Sequence, residues 1–328
     1  MFPASTMTLL ENPLNRLLLL LVLATIVAPA QVPQATTLPA QLPVEDLDTH
    51  HQDLGSGDEL PCTRGRKLTD EARFEKYLIR TYRWPDSQGC LQILRSGTVL
   101  YSLESTDFKI GRNFADGKQI PVGADITGAG IPNAIVSEWS GGAHCCFTLH
   151  VFELGDAFKE IAQIEAGDSD TANFVDLNHD GSYAFEGYDF AFSYWRASFA
   201  SSPAPRIVLK YRKGQYRLAF DLMKTPNPSL EDFKATVQSV QSDDDWSSQV
   251  ARGCEQSCGV PVALWKNMLD LMYGGHSDMA WSLLDESWPK GQQGKAVFAM
   301  QFCNQLKSSL YWPDLEELIG SCPSTATP

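Results

Sequence analysis

The chain reads as an α+β protein: an antiparallel β-sheet or sandwich domain followed by a small C-terminal helical region. Three observations predict this order. Between about Lys67 and Lys224, Gly-containing dipeptides separate short apolar runs, the mark of β-hairpins. Within that span two Asp- and Gly-bearing loops, beginning at Asp125 and Asp176 and so 51 residues apart, each lead into an apolar strand. Beyond Pro261 the apolar residues recur at helical spacing instead.

The 328 residues suffice for one large or two modest domains with real cores. With 26 basic and 40 acidic side chains the formal net charge is −14. An acidic surface repels phosphate backbones, so no nucleic-acid partner is expected, whereas cations are attracted to it. Residues 1–30 have the layout of a secretory signal: Arg16, an apolar run from Leu17 to Val27, then Ala28-Pro29-Ala30 at the cleavage point. An uncleaved anchor is the alternative. The run is shorter than the ~20 apolar residues that span a bilayer. Cleavage after Ala30 therefore predicts a periplasmic or secreted chain without stable membrane insertion. Residues 31–65 are rich in Pro, Gln, Thr, Asp and Gly and predict a flexible tether, with His50-His51 as a solvated pair inside it.

The β domain is placed at residues 66–224. LQILRSGTVLYSLE turns at Ser96-Gly97, and IVLKYRKGQYRLAF turns at Lys213-Gly214. LTDEARFEKYLIRTYRW suits either a short helix capped by Thr69 or a strand. Residues 225–252 are polar, with Asp243-Asp244-Asp245, and predict an acidic linker or long loop. Residues 253–322 form the helical region. One helix begins near Pro261 and ends at Gly274-Gly275, a second is capped by Ser277 or Asp278 and stopped by Pro289, and a third spans Gln292 to Ser309. This helix–Gly–helix portion resembles one tetratricopeptide unit, but no 34-residue echo follows, which predicts a small bundle that closes the fold.

All eight cysteines follow the signal, an even count that suggests disulfides in an exported chain. Eight cysteines allow 105 pairings. Local bonds are favoured: Cys62 with Cys90, and pairs within Cys254–Cys322. In SGGAHCCFTLHVFEL, His144, Cys145, Cys146 and His150 could ligate zinc or copper, or supply a thiol nucleophile. A strand weakens both ideas, because neighbouring residues point to opposite faces, and favours buried or disulfide-bonded cysteines. The aromatic string YDFAFSYWRASFA could stack on a sugar or a partner protein, or fill the core; the alternation of Phe190, Phe192 and Tyr194 favours core.

The loops carry the most specific chemistry. DITGAGIPNAIVSEW and DLNHDGSYAFEGYDF both open on Asp, place an oxygen-bearing side chain third and Gly sixth. Calcium takes six to eight oxygens at about 2.3–2.6 Å, and Gly at the sixth position permits the turn that gathers them. In the second loop Asp176, Asn178 and Asp180 offer side-chain oxygens and Ser182 a main-chain carbonyl. The twelfth position is Gly187, so this is not an EF-hand. An Asx-turn without an ion is the alternative. Over roughly residues 122–192 these loop-then-strand units resemble the FG-GAP or VCBS repeats of extracellular proteins, whose Asp-x-Asx-x-Asp-Gly-x-x-Asp loops bind calcium. The resemblance implies Asp176, Asn178, Asp180 and Ser182 as calcium ligands. At its ninth position this chain has Ala184, so Glu186 is the candidate substitute. In the first loop Ala129 replaces the central Asp and Asn133 stands ninth, which implies a turn that has lost its ion. Two units are too few for a propeller.

No Gly-x-Ser-x-Gly elbow, His-Glu-x-x-His or Gly-rich dinucleotide fingerprint occurs. The expected function is an exported, non-catalytic binding or scaffold module for a protein or glycan ligand, with calcium in one loop. The alternatives are an extracytoplasmic hydrolase and a metal-handling protein that uses the His-Cys-Cys segment.

Overall fold

Hairpin chemistry sets the β half. The computed structural model describes residues 62, 65–85, 88–115, 117–143, 145–179, 181–247, 259–320 and 322. The expected signal, most of the tether, the His50-His51 pair, His144, Asp180, Cys254 and Cys258 lie outside the described residues. The first sheet is a meander of β1 (Lys67–Phe74), β2 (Tyr77–Arg83), β3 (Gly89–Arg95) and β4 (Thr98–Ser105). The stretch from Leu68 that suited helix or strand is thus a hairpin, turning at Glu75-Lys76. Its apolar residues alternate and so line one face of a sheet. At the β3–β4 turn Ser96 and Gly97 both have positive φ, 50° and 88°, the primed geometry that matches strand twist.

The second sheet is β5 (Asp107–Ile110), β6 (Asn133–Trp139), β7 (Phe147–Leu154) and β8 (Phe158–Gly167). The third is β9 (Asn173–Val175), β10 (Ala184–Tyr188), β11 (Arg206–Arg212) and β12 (Gln215–Leu218). All neighbouring strands are antiparallel and consecutive in the chain. The β11–β12 turn repeats the primed geometry at Lys213 and Gly214.

Sheet two is sandwiched. Its Phe108, Ile110, Val136, Phe152 and Leu154 pack with Tyr77, Ile79, Leu91 and Ile93 of sheet one. Its Ile135, Leu149, Val151 and Ile164 join a second cluster with Phe174, Phe185, Leu209 and Tyr216 of sheet three. Residues 134–136 and 149–152 are therefore buried without a break, as strands covered on both faces must be.

The second cluster continues into the helices: α1 (Phe220–Met223), α2 (Leu230–Gln241), α3 (Val262–Tyr273), α4 (Ser277–Ser287), α5 (Lys295–Leu306) and α6 (Trp312–Ile319). Three of these match the expected helices. α2 lies where a linker was expected. Ser229 caps it, accepting from the Asp232 amide at 3.1 Å, and Phe233, Val237 and Val240 bury one narrow stripe. The stripe has helical spacing, i, i+4 and i+7, but its polar surroundings read by composition as a linker. α6 was not anticipated either; Trp312-Pro313 starts it.

Two expected disulfides are present, Cys62–Cys90 and, within the tail, Cys303–Cys322. Cys145 and Cys146 are bonded to each other. They precede β7 instead of lying on it, so the strand alternation does not reach them.

Candidate functional site

The two repeated loops occupy the same place in sheets two and three, between the first and second strands of each meander. Their backbones match. The fourth position is left-handed in both, Gly128 (φ 73°) and His179 (φ 57°), and so is the sixth, Gly130 (φ 74°) and Gly181 (φ 80°). The opening carboxylate accepts the sixth-position amide in both, Gly130 N–H to Asp125 Oδ2 at 2.8 Å and Gly181 N–H to Asp176 Oδ2 at 2.9 Å. Non-Gly residues are uncommon in the left-handed region, but His is among the types that enter it more readily, so His179 can stand where the twin has Gly.

The loops differ in what fills them. In the first, Asn133 Oδ1 accepts from the amides of Ile126 (2.9 Å) and Thr127 (3.3 Å), and Asp125 also receives the Ala129 amide (3.1 Å). This is a self-satisfied Asx-type turn. In the second loop the residue matching Asn133 is Ala184, which has no polar group to offer. Asp176 is half-buried and Asn178 is exposed. The Ser182 hydroxyl accepts from Lys210 Nζ at 3.0 Å. Glu186 is ion-paired with Arg206 on the neighbouring strand, so its carboxylate is committed along the sheet and not to the loop. The side chains on offer, carboxylate and amide oxygens, suit a hard cation such as calcium. Among the described residues no group of three or more His, Cys, Asp or Glu gathers as a metal cage, and Asp180 lies outside them.

Gly181 faces open space, so a methyl group there clashes with nothing and the left-handed backbone alone sets its cost. Gly181→Ala is expected to lower stability by about 1 kcal/mol, read from the urea midpoint. An unchanged midpoint would show that the loop does not need this conformation.

The described members of the His-Cys-Cys segment, Cys145, Cys146 and His150, do not gather as a metal cage. His150 is buried in β7 between two carboxylates. Its Nδ1 is 2.7 Å from Glu160 Oε1 on β8, and its Nε2 is 2.8 Å from Glu138 Oε2 on β6. Burial by itself would lower the pKa of the ring, but the two carboxylates outweigh it and raise the value to about 9. Glu138 is held below its usual range, because the bonds from His150 and Ser105 outweigh the burial that would raise it. Tyr101 of sheet one donates to the same Glu160 oxygen at 3.5 Å. Both ring nitrogens of His150 are thus occupied by carboxylates. Glu138 and Glu160 are legible in the sequence only through register, being 12 residues before and 10 after His150 on adjacent strands.

A second buried polar centre ties the sheets to the helices. Asp189 accepts from the hydroxyls of Tyr273 (2.6 Å) and Ser309 (2.5 Å) and from the Ala191 amide (2.9 Å). Burial raises its carboxyl above the ordinary range, opposed by these three donors. The aromatic string after it divides. Phe192 enters the core against Trp265 (5.8 Å) and Phe302 (5.2 Å), whereas Tyr194 is 62% exposed and Phe190 lies half-buried, stacked on Phe199. The segment is a series of turns and not a strand, which is why its alternation does not translate into a core face.

A shallow pocket of about 220 Å³ is lined by Phe220, Asp221, Lys224, Tyr273, Gly275 and Leu318. It is smaller than ordinary ligand sites of roughly 300–1,000 Å³, and its carboxylate, Asp221, is paired with Arg212 at 3.1 Å. No helix among the described residues is long and apolar enough to cross a membrane. No family model, curated protein or solved structure matches this chain.

Proposed function

We propose that this chain is an exported, non-catalytic binding or scaffold module whose second loop, residues 176–182, holds one calcium ion as a structural pin. The observation that carries the reading is the match between the twin loops: the same left-handed positions and the same Asp-to-Gly bond, with Ala184 standing where Asn133 fills the first. Asp176, Asn178 and Asp180 would hold the ion with the Ser182 carbonyl. Calcium would supply a cross-link among those oxygens and fix the entry to β10. The paired cysteines suit an oxidising compartment, in line with an exported chain. The two buried ionisable centres are satisfied internally, His150 by carboxylates and Asp189 by three donors, which is how structural polar groups behave. The ligand surface would be the exposed rings Tyr188 and Tyr194, which suit a protein or a glycan.

Thermal melts in saturating calcium and in excess chelator test the pin. Binding at about a hundred times Kd adds about 2.7 kcal/mol, which raises Tm by a few degrees in a chain of this size. Asp176→Asn should abolish the difference. Superimposable melts of the unaltered chain in the two buffers would remove calcium from the account.

A further inference from the structure

We propose that Cys145–Cys146 is a thiol–disulfide exchange site, opened by a dithiol reductant without loss of the fold, while Cys62–Cys90 and Cys303–Cys322 serve stability. The three bonds differ first in what they constrain. Cys62–Cys90 and Cys303–Cys322 span 28 and 19 residues, whereas Cys145–Cys146 joins neighbours. A cross-link stabilises by restricting the unfolded chain, and more so for longer loops. A bond between adjacent residues closes almost no loop, so stabilisation does not explain it.

They differ next in access. Cys62 and Cys90 are fully buried, and Cys303 is 4% exposed with its partner Cys322 half-buried. Cys146 is exposed and Cys145 half-buried, in the loop joining β6 to β7. Exchange requires an attacking thiolate to reach a sulphur, and Cys146 offers one at the surface.

The loop also has other supports. The Ser140 amide donates to the Cys146 carbonyl at 3.1 Å, Thr106 Oγ1 donates to the Ser140 carbonyl at 2.9 Å, and the Trp139 indole N–H donates to the Gly142 carbonyl at 3.4 Å. None of these contacts uses a sulphur, so the hairpin end stays anchored when the bond opens.

The chemistry balances with one dithiol. Its thiolate attacks Cys146 Sγ, the Cys145–Cys146 bond breaks, and its electron pair leaves on Cys145 Sγ, which takes up a proton. The second thiol of the reductant then attacks the reductant's own sulphur in the mixed disulfide, and Cys146 is released as the second thiol. The reductant ends as a disulfide, and the chain has gained two electrons and two protons.

The test uses the native, signal-free chain with dithiothreitol as the dithiol. Graded reduction is trapped by alkylation and read by peptide mapping, which scores each cysteine separately. Cys145 and Cys146 should become alkylated together at roughly tenfold lower dithiothreitol than Cys62 and Cys90, with the near-UV circular dichroism unchanged. The proposal is overturned if the Cys145–Cys146 bond opens no earlier than Cys62–Cys90, or if it opens only as the near-UV signal collapses.

Discussion

His150→Ala is expected to destabilise the chain by about 3–5 kcal/mol, the cost of leaving buried carboxylates without their partner. The ring bridges β6, β7 and β8 through Glu138 and Glu160, with Tyr101 of sheet one reaching the same cluster. Its side chain is 2% exposed and those of the two carboxylates 17% and 12%, so the three groups depend mainly on one another for partners. His150→Gln, which keeps a donor for one carboxylate, should cost less. Urea denaturation of both variants measures this; equal stability of His150→Ala and the unaltered chain would show that the cluster contributes nothing.

The same cluster sets a pH dependence. The folded pKa of His150, about 9, lies above the ordinary 6.5. A raised pKa means the folded state binds the proton more tightly, so the stabilisation is complete below pH 6.5 and disappears as pH rises through about 9. The difference amounts to about 3 kcal/mol. Glu138 is depressed, so on the acid side the cluster weakens as pH falls through its titration. Subtracting the His150→Gln profile from that of the unaltered chain isolates this contribution. A flat difference between pH 6.5 and 9 would contradict the imidazolium assignment.

Asp189→Ala is the second large effect, expected at about 3–5 kcal/mol. It strips partners from two buried hydroxyls and one amide at once, each worth about 1–3 kcal/mol when left unpaired. The bonds run from the end of β10 to α3 and to the α5–α6 connection, so the loss falls on the junction between sheets and helices. Asp189→Asn keeps the shape and one acceptor, and Tyr273 and Ser309 can rotate their hydroxyls to accept from the new amide. It should therefore cost markedly less. Matching losses for the two variants would mean that volume, and not hydrogen bonding, matters at this position.

What the residues revealed in advance follows their physics. The Ser96-Gly97 and Lys213-Gly214 turns were legible because primed turns need positive φ at two adjacent positions, and Gly declares one of them. The helices beginning at Val262 and Ser277 were legible from Pro, Gly and a dense apolar stripe. α2 was not, although Phe233, Val237 and Val240 recur at helical spacing, because the polar, acidic composition of residues 225–252 outweighs that spacing. The repeat was visible at Asp125 and Asp176, but the plug, Asn133 against Ala184, took meaning only once its amide oxygen was seen facing Ile126 and Thr127. Glu138, His150 and Glu160 are brought together by strand register across two hairpins, information that no local pattern carries. The string from Tyr188 misled because alternation identifies a buried face only where the backbone is extended, and here it turns.

Titration calorimetry of calcium into the chelator-stripped chain addresses the loop most directly. One saturable site that disappears in Asp176→Asn is the expected result. Heats equal to those of dilution, for the unaltered chain at neutral pH and low salt, would contradict it and leave residues 176–182 as a turn of the same kind as their twin.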